Sequence, residues 1–199
     1  MALEIIPLVQ LLKKNIIINE RALKLNDALE LIKKLEFTRI YALDIKGLLK
    51  GKPSFEAIKK IGAAKSLWLE SSARTCEDCI DLIIAGVESV VINPAIVPLK
   101  NLEYCAKVTR NIIIKLEFNE ENEVITSEKR KLHDIIEIAR NAQIENLITA
   151  QKNLTRNVID VFANNNLRSY ILCTKSELAK FSDWKLSGAV IPLEEVAKI

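Results

Sequence analysis

Residues 67–79 read LWLESSARTCEDC. Leu67-Trp68-Leu69 is a short continuous apolar run, the pattern of a strand buried on both faces. Glu70-Ser71-Ser72-Ala73-Arg74 interrupts it with a polar turn. Thr75 and Asp78 have the spacing of a capping box, which satisfies the free N–H groups of a first helical turn and predicts a helix opening there. A turn leading from a parallel strand into a helix is where phosphate binders place glycine, because backbone N–H groups must approach the anion closely. No glycine stands in this turn. Its reading therefore decides both the architecture and whether that architecture still holds an anion.

The same unit recurs along the chain. Apolar runs rich in Ile, Val and Leu appear as LEIIPLV, RIYALDI, SLWLES, SVVIN, NIIIKLEF, NLITAQ, SYILCT and GAVIPL. Segments of helical spacing lie between them; Leu132, Ile135, Ile136 and Ala139 fall on one face of EKRKLHDIIEIARNA. Asn26 is a candidate N-cap before DALELIKKL, Thr174 with Glu177 repeats the capping-box spacing, Pro98 suits a first helical turn, and Gly86 suits a helix end. Eight strands alternating with eight mostly short helices predict an α/β chain folded as one compact (β/α)8 barrel over residues 1–199, with a doubly wound open sheet as the alternative. After the first strand, QLLKKNIIIN offers a hairpin arm turning at Lys13-Lys14-Asn15.

Bulk properties narrow the function classes. The 199 residues are 49% apolar and 28% charged, which suits an ordered globular chain. Net charge is +3 with lysines spread over amphipathic segments, and aromatics are 5%, too few for base-stacking platforms, so no nucleic-acid partner is expected. No apolar run reaches the ~20 residues of a membrane span and no signal pattern opens the chain, so a cytoplasmic protein without a membrane partner is expected. Four cysteines, Cys76, Cys79, Cys105 and Cys173, are too sparse for a disulfide framework.

Two stretches carry a resemblance. IYALDIKGLLKGKPSFEAIKKI (40–61) resembles the second strand and loop of the ribotide isomerases of histidine biosynthesis, where V-D-L-D-G precedes G-K-P and a helix. Residues 67–97 resemble that family's third and fourth units, G-G-G-I-R-T-x-E-D, then L-x-x-G-[AV], then V-V-I-G-T; IIPLVQL (5–11) is similar to its I-P-A-I-D-L opening. The likeness covers residues 1–97 and extends to archaeal and methylotroph relatives of those isomerases. It implies a (β/α)8 barrel that holds a doubly phosphorylated substrate on Gly-rich loops after strands 3–4 and 7–8. One carboxylate after strand 1 and one after strand 5 would catalyse an aldose-to-ketose isomerisation.

The departures from that pattern bear on function. Gln10 stands in the strand 1 carboxylate position, and an amide cannot serve as that base. Glu117 stands at strand 5, and Asp44 keeps the first Asp of the strand 2 motif; these two are the candidate catalytic residues. Ser71, Ser72 and Ala73 replace glycines while Arg74 remains; Asn93-Pro94 replaces Gly-Thr; Pro192 removes a further donor. None of the five glycines occupies a phosphate-loop position. Gln10, Glu70, Ser71, Ser72, Arg74, Asn93, Gln151, Thr174 and Lys175 are the candidate binding residues, facing a small polar or phosphorylated ligand. No cofactor and no metal are expected, since CEDC has no second CxxC and His133 is the lone histidine. Cys76, Cys79 and His133 read as structural; Cys173, ending strand 7, is placed to reach the barrel mouth. Lys115 and Glu117 are two apart on one strand and share a face, as an ion pair or, less simply, a Schiff-base site.

Two functions remain open at this level. One is an enzyme-like pocket for a small polar or phosphorylated intermediate, with classical ribotide isomerisation not expected. The other is a catalytically degenerate barrel serving as a binding or protein-interaction subunit. A homodimer that covers apolar outer surface is compatible with either.

Overall fold

A computed structural model describes residues 3–197. It is α/β: β1 (Glu4–Leu12), β4 (Arg39–Asp44), β5 (Ser66–Glu70), β6 (Ser89–Ile92), β7 (Ile112–Leu116), β8 (Asn146–Ala150), β9 (Arg168–Leu172) and β10 (Gly188–Pro192) run parallel in that order. β10 pairs back onto β1, with Glu4 opposite Gly188 and Leu8 opposite Pro192, so the sheet closes into an eight-stranded barrel. Helices α1 (Leu25–Lys34), α2 (Ile45–Lys50), α3 (Phe55–Ala64), α4 (Cys76–Ile84), α5 (Leu99–Val108), α6 (Leu132–Asn141), α7 (Arg156–Asn164) and α8 (Leu193–Val196) ring it. This is the (β/α)8 architecture expected from the alternating pattern. No helix among the described residues is long and apolar enough to cross a membrane.

The hairpin arm forms. β1 overruns the barrel and pairs antiparallel with β2 (Asn15–Ile18), which pairs with β3 (Arg21–Lys24); Lys13 takes the left-handed conformation in the turn. Ile16 and Ile18 are buried, and α1 packs against both hairpin strands. Because β3 runs straight into α1, the helix starts at Leu25 with Lys24 as its N-cap. Asn26 therefore lies inside the first turn and does not cap it. Thr75 and Asp78 do form the expected capping box on α4, and Gly86 follows that helix with φ 100°. Pro98 is the N-cap of α5 rather than a first-turn residue.

At Thr174 the expected helix is replaced by a 3-10 turn, Leu178–Phe181. Phe181 and Trp184 pack edge to face with centroids 4.8 Å apart, the i,i+3 stacking that a tight turn favours. One hairpin escaped notice in the sequence: after β7, Phe118 bridges Val124 antiparallel around the polar tip Asn119–Glu123.

Strand alternation divides the interior into two layers. Ile6, Tyr41, Trp68, Val91, Ile113, Ile148, Tyr170 and Val190, one from each barrel strand, fill the lumen. Trp68 and Tyr170 meet edge to face at 5.0 Å. The alternate positions, such as Val9, Ile40, Leu69, Ile92, Ile114 and Ile171, pack under the helices. At the strand N-termini the lumen is sealed by polar pairing: Glu4 takes Arg39 and accepts from the Tyr170 hydroxyl (3.1 Å), while Arg39 also reaches Glu88 (3.1 Å) and lies over the Trp68 ring.

Gly188 permits the closing contact, since a Cβ there would lie 2.5 Å from the Glu4 carbonyl oxygen and 2.7 Å from the Tyr170 ring. Gly188→Ala is expected to destabilise the fold by about 1–3 kcal/mol, the usual cost of overpacking, lowering the melting temperature by roughly 2–12 °C for a chain of this size. An unchanged melting temperature would contradict this closure geometry.

Candidate functional site

In a barrel of this kind the C-terminal ends of the strands build the site. Above the apolar lumen layer, Lys115 of β7 reaches across to Glu70 of β5, with Nζ 2.9 and 3.0 Å from the two carboxylate oxygens. The pair is nearly dry, with side-chain exposures of 14% and 5%. Tyr41 donates its hydroxyl to the same Glu70 carboxylate. Burial, reinforced by the neighbouring Glu70 charge, pushes the Tyr41 phenol well above its ordinary pKa, so it stays a donor. Lys115 Nζ also lies 3.7 Å from Glu117, and Glu117 accepts a 3.0 Å bond from Asn93 Nδ2. Glu117 is the solvent-facing member of the network, 39% exposed.

Glu70, Asn93 and Glu117, named from the sequence, thus come together, linked by Lys115 and Tyr41. Lys115 and Glu117 share the inward face, and Lys115 Nζ is taken up by both Glu70 oxygens with Glu117 beside it, the ion-pair arrangement rather than an amine free for Schiff-base chemistry. Gln10 follows Ile6 and Leu8 on the inward face of β1 and is half-buried at the mouth.

Asp44 stands elsewhere. It ends β4 on the opposite face from Tyr41 and is fully buried, and it accepts three 2.9 Å bonds, from the Ser54 N–H, the Ser54 hydroxyl and the Ser71 hydroxyl. A Cβ on Gly47 would strike both Ser71 Oγ and Asp44 Oδ2, so the α2 backbone is seated directly on this knot. Asp44 and Ser71 fasten the loops after β4 and β5 to each other.

Several loop donors around the mouth have partners within the chain. After β5, the Arg74 and Thr75 N–H groups both donate to Asp78 at 3.0 Å. After β6, Ala95 N–H donates to the Asn93 side chain (2.9 Å), Ile96 and Val97 donate to the Asn93 carbonyl, and Pro94 has no N–H. After β9, Thr174 N–H and hydroxyl donate to Glu177 (3.0 and 2.7 Å), which also accepts from Gln151, and Lys175 N–H donates to Glu195 (2.6 Å). The bonds from Gln151 and then Thr174 hold the Glu177 carboxyl down at about 2. Asp78, Asn93, Glu177 and Glu195 stand where an anion would draw on these N–H groups. The Thr75-x-x-Asp78 and Thr174-x-x-Glu177 spacings signalled two of them in the sequence and Asn93 was a named candidate; Glu195 had no local signal.

What is left at the mouth is small. Ser72, Ala73 and Arg74, with Glu70, Asn93 and Leu48, line a cavity of about 50 Å3. Small-molecule sites run to about 300–1,000 Å3, and one water takes about 30 Å3. Of the larger hollows, those of 390, 500 and 590 Å3 lie between outer helices, and one of 510 Å3 lies at the N-terminal ends of β6–β9.

Cys173 lies one residue past β9 on the face away from the lumen, packed with the outer layer, so it does not reach the mouth. The inward positions are Tyr170 and Leu172, and the next residue points outward. Burial raises its thiol to about 11. Cys76, Cys79 and Cys105 are buried free thiols, and burial pushes Cys79 far above the ordinary thiol value, away from the thiolate a redox pair uses. His133 is a surface residue of α6.

A scan of the sequence against protein-family models finds no match, and a search of curated proteins finds none.

Two predictions follow from the lumen. Lys115→Met strands Glu70 beside Tyr41 and is expected to cost about 3–5 kcal/mol, whereas Glu70→Gln/Lys115→Met should recover most of that loss in chemical denaturation. Equal losses in the single and double variants would contradict the pairing. Tyr41 and Tyr170 both hold their protons more tightly when folded, Tyr170 up to about 12 against an ordinary 10.0. The Tyr170 contribution to stability is complete below pH 10 and lost as pH rises through 12, and that of Tyr41 is lost in the same direction. A melting temperature that falls above pH 10, together with tyrosinate absorbance that appears in a Tyr104→Phe background only as the chain unfolds, is the expected record.

Proposed function

We propose that this chain is a divergent barrel of the ribotide-isomerase type whose mouth no longer holds a sugar phosphate, and which works as a binding and protein-interaction subunit. The observation that carries this reading is the engagement of the N–H groups of Ala95, Thr174 and Lys175 by the chain's own side chains. Anion binding at such loops rests on convergent free donors, and an incoming phosphate would have to displace Asn93, Glu177 and Glu195. The 50 Å3 cavity agrees with this, being far below the size of a sugar phosphate site. The family relationship itself rests on the motifs in residues 1–97.

One observation favours the other reading, chemistry on a small polar molecule. Glu117 is a lumen carboxylate that reaches solvent, and Asn93 and Lys115 orient it. On that reading it would act as an acid or base at the rim, with Arg74 supplying charge.

Thermal-shift titration with ribose 5-phosphate, phosphoribosyl compounds and inorganic phosphate separates the two. A ligand at about 100 times its Kd stabilises by about 2.7 kcal/mol, or roughly 5–10 °C at this chain length. No shift with any of these compounds is expected. A shift that disappears in Arg74→Ala or Glu117→Gln would overturn the interaction reading and place ligand chemistry at the mouth.

A further inference from the structure

The face left over the closed mouth is neither plain nor uniform. Of the nine large hydrophobic residues exposed among the described residues, Leu12, Leu49, Phe55, Ile96 and Ile125 all lie on connections leaving the C-terminal ends of barrel strands. Apolar exposure concentrated on one end of a molecule marks an interaction surface. Charge on the same face is divided by position. The connections after β1 and β4 carry exposed Lys13, Lys14, Lys24, Lys50 and Lys52. The hairpin after β7 carries Glu120, Glu121 and Glu123 at its tip, all exposed, with Glu117 at its base; exposed Lys129, Arg130 and Lys131 follow the hairpin on the same connection. β1 and β7 are four strands apart in a closed ring of eight, so the basic and acidic hairpins rise from opposite sides of the mouth.

From this arrangement we infer that the mouth face is a self-complementary interface and that its occupant is a second copy of the chain, docked mouth to mouth. The inference rests on the reading that the mouth takes no small ligand. A two-fold axis lying across the face along the β5–β9 diameter carries β1 onto β7, β4 onto β6 and β10 onto β8. The lysine turn of each copy then meets the glutamate hairpin of the other, and Leu12 meets Ile125. Leu49 and Phe55 meet Ile96. Exposed Glu194 after β10 meets exposed Lys152 after β8. Every class of contact is thus matched twice by one symmetry operation. Along the axis the loop after β5 meets itself, and Arg74 there is flanked by Glu77 and Asp78 of its own loop. Opposed charge sets orientation and encounter rate while the apolar rim supplies the burial.

Sedimentation velocity at low micromolar concentration tests this with charge-reversed pairs. Lys13→Glu/Lys24→Glu leaves Lys14 and its Glu56 partner in place, and Glu120→Lys/Glu121→Lys alters only the exposed hairpin tip. Wild type should be a dimer that weakens with salt. Each variant alone should dissociate, its Kd rising about tenfold or more because both contacts become repulsive. An equimolar mixture of the two should restore the dimer, since a reversed turn then faces a reversed hairpin and the second contact is native. Leu49→Asp should also dissociate it, without rescue by mixing and with a far-ultraviolet circular dichroism spectrum like that of wild type. A monomeric wild type, or a dimer indifferent to the reversals, would overturn the proposal. If that monomer also shows no phosphate shift, the dimer alone is wrong; if it does, the closed-mouth reading falls with it.

Discussion

The ion pair between Lys115 and Glu70 decides what the upper lumen can be. Two charges held at 2.9 Å with side-chain exposures of 14% and 5% must neutralise each other, because neither has enough water to stand alone. Tyr41 takes up further acceptor capacity on Glu70, and Glu117 with Asn93 completes the set on the solvent side. The pair therefore acts as a polar stopper above an apolar lumen filled by one side chain per strand. A barrel enzyme needs convergent groups with unspent hydrogen-bonding capacity at this level. Here much of that capacity is used within the chain, and Glu117 is the member of the network that reaches solvent.

The rim repeats the same solution with different partners. Asp78 caps α4 while holding two loop N–H groups, Glu177 draws in Thr174 and Gln151, and Glu195 takes Lys175. A turn whose N–H groups meet a fixed side-chain acceptor does not require glycine, since the backbone need not approach an incoming anion. Serine in ESSAR is consistent with that change: Ser71 Oγ is spent on Asp44, joining neighbouring loops rather than facing a ligand. The outcome is a rigid end face, and rigidity there suits docking better than turnover.

Much of the architecture was legible in local pattern. Continuous apolar runs marked the parallel strands, the Lys13-Lys14 turn marked the hairpin, and Thr75 with Asp78 marked the start of α4. The candidate site was legible only where a signal stayed within one strand, as for Lys115 and Glu117. Glu70 as the partner of Lys115 is 45 residues distant and set by barrel closure, which no local spacing encodes. Asp44 and Cys173 show the sharper limit. Both sit at a strand end, where one residue of register exchanges lumen for outer layer. The 118–124 hairpin carried a readable sign, apolar Phe118 and Val124 bracketing Asn119 and Asn122, but its charged tip resembled an ordinary solvated loop.

The central claim, that the chain's own side chains hold loop donors on which a phosphate would draw, is open to direct observation. Amide hydrogen exchange followed by NMR, without ligand and with saturating inorganic phosphate, reports on each N–H separately. The account predicts that Arg74, Thr75, Ala95, Thr174 and Lys175 are protected in the free protein and unchanged by phosphate. Fast exchange at these five amides, slowing when phosphate is added, would contradict it.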